Sequence, residues 1–290
     1  IGLLAQADSK FVLIGDYKQL PAVVQQDSAV SSVNDVSLNN ICLDNCRNSL
    51  FERLIHIENT YNRNQFTGVL RRQGRMHPDI AEFPNKMFYY KENLQPVPLE
   101  HQTKKQLEYS LESIDYLDDA LKAHRMVFIP SIFCKEPNIS DKVNSEEAKI
   151  VTDILRRIYR FYGNEFNADK TVGVIVPYRN QISMIRKEIE KLGIPELEDI
   201  SIDTVERYQG SQRDVIIYSF TIQNRYQLDF LTSNCFEEDE HIIDRKLNVA
   251  MTRARKQMIF TGNYDILNND IIFQQLIEYI KTKQGYIEYE

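Results

Sequence analysis

From Arg125 onward, short apolar runs alternate with segments of helical periodicity, and a chain written this way can bury its runs only as a mainly parallel sheet with helices packed on both faces. The runs are Met126 to Pro130, Val172 to Val176, Ile200 to Thr204, Val215 to Ser219 and Met258 to Thr261. They are apolar throughout, as expected of strands covered on both sides. Ser145 to Tyr162 reads as a helix with Glu146 and Glu147 in its first turn and Arg156, Arg157 and Arg160 later, the charge order that the helix dipole favours. Gln181 to Leu192 reads as a helix stopped by Gly193, and Arg245 to Thr252 and Ile271 to Lys281 complete the set. The class is α/β.

The amino-terminal part is shorter and less regular. Phe11-Val12-Leu13-Ile14, closed by Gly15-Asp16, has the look of a buried parallel strand feeding a loop. A polar stretch from Gln25 to Asn40 follows, then helical spacing from Leu50 to Tyr61 and a short strand from Phe66 to Leu70. About 70 residues are half of what a doubly wound domain needs, so 1–72 reads as the tail of a first domain and 73–290 as a second. Within the second, a helix runs from Pro78 to Tyr89, and 95–124, where acidic and basic residues mix, reads as an irregular insertion. The opening Ile1-Gly2-Leu3-Leu4-Ala5 lacks an initiator Met, which suggests an excised fragment.

Composition removes several classes. No apolar run approaches the roughly 20 residues that a bilayer span requires, so an integral membrane protein is not expected. The formal net charge of -7 argues against a histone-like binder and confines any nucleic-acid contact to local basic loops. Four scattered cysteines suggest a reducing compartment, with the cytoplasm as default. Cys42 and Cys46 have ligand-like spacing, but Cys134 and Cys235 stand far off, and no metal site is expected. The run from Asp229 to Asp244, acidic and free of Lys and Arg, reads as a solvated loop.

Ligands of open parallel sheets collect at the carboxyl ends of the strands, which directs attention to the loops there. These are Gly15-Asp16-Tyr17-Lys18-Gln19-Leu20-Pro21, Pro177-Tyr178-Arg179-Asn180-Gln181 and Glu206 through Asp214; Asn248 through Arg255 stands before the last strand. Their amides, guanidinium groups and small residues are the groups that hydrogen-bond phosphate oxygens. Each is weak alone. Together, with Gln73-Gly74-Arg75-Met76-His77-Pro78 between the first and second, they resemble the ordered motifs III to VI of superfamily 1 helicases. The resemblance is to the branch that includes the nonsense-mediated-decay RNA helicase and related DNA helicases, and it spans roughly residues 11 to 262.

The resemblance implies a RecA-like fold of the P-loop NTPase type, the second of two helicase lobes, acting with ATP and Mg²⁺ on single-stranded DNA or RNA. It places Gln19 as the coupler of nucleotide to nucleic acid, and Arg75 and Arg253 as arginine fingers. It gives Asp16, Gln73, Gly210 and Gln212 as nucleotide contacts, and Pro177, Tyr178, Arg179 and Thr204 as contacts to the strand. The partner it implies is an amino-terminal RecA-like lobe of the same chain; the polarity is 5′ to 3′. Two positions depart from the pattern: the aromatic before the motif IV arginine is Gly74, and the usual motif V glutamate, a ribose contact, is Gln212. None of the ten glycines is followed by Lys, so no P-loop is present in these residues and they alone are expected to hydrolyse no ATP. A non-catalytic binding module built on a helicase lobe is the competing expectation, and an unrelated doubly wound phosphate-binding domain a third.

Overall fold

The computed structural model describes residues 6, 9–21, 26, 27, 29–134 and 140–289, which leaves the opening Ile1 to Ala5 and part of the polar stretch outside the described residues. The chain divides into two compact units, residues 1–70 and 71–290.

In the first unit, α1 (Val36–Asn39) is capped by the Asp35 carboxylate, which accepts from the Leu38 amide. Ser49 and Glu52 form a reciprocal capping box that starts α2 (Leu50–Thr60). Phe11 to Ile14 do not form the expected strand: Val12 and Ile14 are 84% and 85% exposed. A parallel strand is held by its neighbours, and among the described residues none pairs with this run. The expected strand at Phe66 to Leu70 is also absent; Asn64–Phe66 make a 3₁₀ turn, and the residues after it run exposed and unpaired.

The second unit opens with β1 (Arg72–Gln73), which pairs in parallel with β2 (Gln95–Pro96) on the far side of α3 (Pro78–Met87). Pro78 occupies the first helical position of α3, and His77 caps it. α4 (Glu100–Thr103) and α5 (Tyr116–Ala123) follow. The stretch 95–124 is therefore not irregular throughout: Leu117 and Leu121 of α5 enter the main core, and the helix is bolted on by charge. Arg157 donates to Asp115, Asp118 and Asp153 at 2.7, 2.6 and 2.9 Å, and Arg160 also reaches the fully buried Asp118.

Then come β3 (Met126–Pro130), α6 (Ser145–Tyr162), β4 (Val172–Val176), α7 (Arg179–Glu190), α8 (Pro195–Glu198), β5 (Ser201–Thr204), α9 (Val205–Tyr208), β6 (Arg213–Ser219) and α10 (Gln227–Leu231). β7 (Cys235–Glu238), β8 (His241–Asp244), α11 (Arg245–Met251), β9 (Ala254–Gly262), α12 (Tyr264–Leu267) and α13 (Ile271–Thr282) complete the chain. The central sheet runs β3-β9-β6-β4-β5, and every pairing in it is parallel. Its two faces are chemically distinct because side chains alternate along each strand. Val127, Ile129, Val174, Val176, Val215, Ile217 and Ile259 pack under α5, α6, α7 and α8 as an aliphatic layer. The opposite face carries Tyr218, Phe220 and Phe260, with Phe220 edge-on to Phe273 of α13.

The acidic run is not a solvated loop. It folds into α10 and an antiparallel hairpin, β7 with β8, whose turn places Asp239 and Glu240 at φ +46° and +64°. The ring of Tyr90 stacks on His241 at 3.8 Å and 12°, and Ile243 is buried; the acids on the outer side hide this period-two pattern.

Candidate functional site

The expected positions fall on two opposite rims of the sheet. Val176 and Thr204 are register partners at the carboxyl ends of β4 and β5, so Pro177, Tyr178, Arg179 and Thr204 lie on the carboxyl rim. Arg213 and Ala254 are partners at the amino ends of β6 and β9. The loops ending at Gln212 and Arg253 therefore open strands: for Asn248 through Arg255 this is the expected place before the last strand, whereas Glu206 through Asp214, expected just after a strand, ends at the opposite rim. A short crossover, α9 and the loop after it, carries the chain from one rim to the other.

Gln73 organises the amino rim. Its side-chain oxygen accepts from the amides of Arg75 and Met76 at 2.9 and 2.8 Å, and its nitrogen donates to the Met76 carbonyl at 2.8 Å. Gln102 fastens the same turn by donating to the carbonyls of Gln73 and Met76 at 3.0 and 2.8 Å. His77 accepts the Asp79 amide on Nδ1 at 3.1 Å, which leaves Nε2 to donate to the Lys104 carbonyl at 3.0 Å. Burial, then the nearby Arg125, lower its pKa, in keeping with this neutral, structural role.

From that turn Arg75 reaches across the sequence. Its Nε donates to Gln212 Oε1 and one Nη to the Thr252 carbonyl, both at 3.1 Å. Arg253, 2% exposed, donates from Nε to the Val249 carbonyl at 3.1 Å, from one Nη to the Ser211 carbonyl at 3.3 Å and from the other to the Thr252 hydroxyl at 3.1 Å. Both guanidinium groups thus touch Thr252 and the loop of Ser211 and Gln212. That loop turns at Gly210, whose φ of +93° suits glycine and few other residues. The Asp244 carboxylate sets the start of α11, the helix that leads to Arg253, by accepting the Leu247 amide at 3.0 Å; burial raises its pKa to about 6. Gly74 leaves its side-chain position against Leu99, 3.2 Å from where a Cβ would sit. Beside this rim a cavity of about 280 Å³ is lined by Tyr109, Arg125, Tyr162, Arg255 and Lys256, the last two held by Asp214 at 2.7 Å each.

On the carboxyl rim, Tyr178 is buried and stacked on Phe230 at 5.0 Å, while Arg179 is exposed and Pro177 and Thr204 are partly so. Gln181 holds the loop by exchanging both of its amide groups with the backbone of Asn144, at 2.9 and 3.0 Å. In the first unit, the Asp16 carboxylate accepts from the Lys18 amide and from Gln19 Nε2, each at 3.0 Å, so Asp16 and Gln19 sit in one turn. Ser211, Thr252, Gln102 and Gln181 are not singled out in sequence as site residues, because each has a backbone group as donor, acceptor or target, which no residue-type pattern announces.

Among the described residues no helix is long and apolar enough to cross a membrane, and no group of three or more His, Cys, Asp or Glu could hold a metal ion.

The parallel sheet and these two rims define a helicase lobe, and comparison with known proteins agrees. Residues 46–265 match the AAA domain family, and the chain belongs to it. It is a superfamily 1 helicase domain, matching the carboxyl-terminal part of such proteins. It is 29% identical over 276 residues to an uncharacterized ATP-dependent helicase of Methanocaldococcus jannaschii, covering 94% of this chain and 35% of that protein. A regulator of nonsense transcripts 1 homolog from Neurospora crassa is 28% identical over 96% of this chain and 22% of its own length. The DNA polymerase alpha-associated DNA helicase A of Saccharomyces cerevisiae is 29% identical over 89% of this chain and 35% of its own length. The chain thus spans about a third or less of the curated relatives it matches.

Proposed function

We propose that the chain is the carboxyl-terminal portion of an ATP-dependent helicase or translocase that moves 5′ to 3′ on single-stranded nucleic acid, DNA in the first instance. Residues 1–72 are the end of the first RecA-like domain, 73–290 the second, and 95–124 an insertion in it. ATP with Mg²⁺ is the nucleotide of the intact protein, held largely by a P-loop outside these residues. The residues present fit one side of such a nucleotide: two guanidinium groups from separate segments that meet at the loop of Ser211 and Gln212, with Gln212 toward the sugar, and Gln73 and Gly210 each shaping one of the turns beneath. When bound, the nucleotide would supply the phosphoryl group that Arg75 and Arg253 bridge, a bridge that its hydrolysis would release.

Arg75 and Arg253 act as arginine fingers, since phosphoryl transfer leaves little covalent work for protein groups and a guanidinium on the transferred phosphate is worth about 10³ to 10⁵ in rate. The Arg253 bond to Ser211, longer than those to Val249 and Thr252, is the one a phosphate oxygen replaces. Asp16 and Gln19 carry the state of the phosphate toward the strand from the first lobe. Pro177, Tyr178, Arg179 and Thr204 form a backbone-tracking grip, which binds without reading sequence. The observation that carries this reading is the convergence of Arg75 and Arg253 on Thr252. These residues alone turn over no ATP; hydrolysis above a no-enzyme blank by the pure 290-residue chain with single-stranded DNA would contradict that.

Gly74 and Gln212 favour a second reading, a lobe that binds nucleic acid or a partner without turnover. The two separate on one fact: an intact protein with Gly-Lys-Thr or Gly-Lys-Ser and a strand ending Asp-Glu upstream is a motor, and one lacking either is a binding module.

A further inference from the structure

Glu147 reads in sequence as an ordinary first-turn acid of α6, yet its side chain is fully buried and turns away from the helix. One carboxylate oxygen accepts from the Ser219 hydroxyl at 2.7 Å and from the Thr221 amide at 2.8 Å, and the other accepts from the Ser131 hydroxyl at 3.0 Å. Ser219 is the last residue of β6, and Thr221 and Ser131 stand just past the ends of β6 and β3, so one carboxylate closes the carboxyl ends of two strands. All three are neutral, and burial raises the pKa to about 7; no charged group of α6, β3 or β6 contributes to that shift.

Two further features at the same place are costly. Thr221, a β-branched residue, sits at φ +55°, a conformation such residues rarely adopt. The hydroxyl of Thr261, whose residue pairs with Ser219 across the sheet, is buried without a hydrogen-bond partner among the described residues. A buried carboxylate, a left-handed threonine and an unmet hydroxyl clustered in one spot are what a working site retains and a merely structural one sheds.

The cluster continues into the loops of the rim. Two residues past Thr221, Gln223 accepts the Cys134 amide at 3.0 Å and donates to the Val143 carbonyl at 2.5 Å. Asn144 caps α6 through the Glu147 amide and exchanges hydrogen bonds with Gln181, at the end of the loop of Tyr178 and Arg179. Gln227 joins the Gln223 amide to the Asp141 carbonyl at 2.8 and 2.9 Å.

We infer that Glu147 is the positioning residue of the carboxyl rim: by tying Ser131, Ser219 and Thr221 to one carboxylate it fixes the loops that grip the single strand. This rests on the proposed reading of that rim as strand-facing. Ionised, the carboxylate accepts all three bonds; protonated, one oxygen becomes a donor and the Ser131 bond must reverse, loosening the end of β3.

The test measures, in the intact helicase, the Kd of a fluorescein-labelled oligothymidylate strand and the Kd of a fluorescent ATP analogue, at about pH 6 and about pH 8. Glu147→Gln is expected to weaken strand binding about tenfold at the higher pH while nucleotide affinity stays unchanged. The unmodified protein is expected to lose strand affinity as pH falls through 7, and Glu147→Gln to show no such change. A variant that folds and binds the strand as tightly as the unmodified protein at both pH values overturns the inference and leaves the strand-facing reading intact. Absence of strand binding by the unmodified protein overturns both. Should Glu147→Gln fail to fold, Ser219→Ala and Ser131→Ala each remove one bond and must shift the pH midpoint of strand binding; an unmoved midpoint in both counts against the inference.

Discussion

Arg75 and Arg253, 178 positions apart, hold the same residue by different atoms: Arg75 donates to the carbonyl of Thr252 and Arg253 to its hydroxyl, each at 3.1 Å. Neither guanidinium is locked in an ion pair in these bonds; the acceptors are neutral oxygens. A hydrogen bond to a neutral oxygen leaves the cation's charge uncompensated in that bond.

The first expectation concerns these cations in the intact helicase. Arg253→Ala should abolish ATP hydrolysis, a loss of about 10³-fold or more, while binding of single-stranded DNA changes little. Arg253→Lys should recover little of the rate, because an ammonium cannot reproduce the planar fork. Loss of hydrolysis and strand binding together, in a folded variant, would make Arg253 a nucleic-acid contact instead.

Gln212 accepts from Arg75 with a neutral amide at the position where the motif V resemblance implies a glutamate. Gln212→Glu should tighten ATP binding by about 1 kcal/mol, the difference between a neutral and a charge-assisted hydrogen bond. If the group meets a ribose hydroxyl, the gain should vanish with the 2′,3′-dideoxy analogue of ATP. Equal tightening for both nucleotides would remove the sugar from the account.

Gly173 of β4 lies under the ring of Tyr208, and a Cβ there would stand 1.8 Å from the phenol oxygen, which itself donates to the Ser201 carbonyl at 2.9 Å. Gly173→Ala should destabilise the fold by about 2 kcal/mol or more, read as a shift of the urea midpoint. Because the cost is a single clash, Gly173→Ala combined with Tyr208→Ala should cost little beyond Tyr208→Ala alone. Simple additivity would place the strain elsewhere.

Asp118→Ala strips Arg157 and Arg160 of their buried partner. Removing one member of a buried pair costs about 3 to 5 kcal/mol, so this variant should show the largest loss of urea stability among single changes on α5. A shift no larger than that of an exposed pair would mean that Asp115 and Asp153 suffice.

The pH dependence of stability follows from groups shifted in opposite senses. Glu147 and Asp244 have pKa values raised to about 7 and about 6 by burial, so folding favours their protonated forms. Their ionisation costs stability above those values, and the cost disappears progressively as pH falls toward the ordinary carboxylate range. Asp115, held to about 2 chiefly by its hydrogen bond from Arg157, acts oppositely: its contribution is present above the usual aspartate pKa and is lost below it. His77 and His124, whose pKa values burial lowers, act in the opposite sense as pH falls, so the comparison that isolates Glu147 is with Glu147→Gln: the urea midpoint of the unmodified protein relative to that variant should rise between about pH 8 and about pH 5. A difference that does not change across that window would show that burial does not govern this acid.

Most of the second lobe was legible because its signals are local. The runs at Met126, Val172 and Val215 are apolar enough to be strands whatever surrounds them, and Ser145 to Tyr162 forms the helix that its spacing and charge order require. What escaped depends on partners. Phe11 to Ile14 carries the same apolar signal but meets no strand among the described residues. The β7 and β8 hairpin escaped because its acids outnumber its buried positions. At the site, Arg75 and Arg253 were legible as motif residues, whereas their meeting at Thr252 was not, since residue order does not say which loops the strand order of a sheet brings together. Glu147 escaped for a related reason: one side chain can serve a helix dipole or a buried cluster, and only burial distinguishes them.

Between Thr204 on one rim and Arg213 on the other lie residues 205–212, eight in all, of which four are spent in the turn of α9. Four helical residues advance about 6 Å and four extended ones about 13 Å, against the roughly 17 Å length of a five-residue strand. The connection has almost no slack. Under the proposed strand-facing role of Thr204, a tug there is felt at Gln212 within the same rigid lever, and lengthening this tether by a few glycines would let the two ends move as strangers.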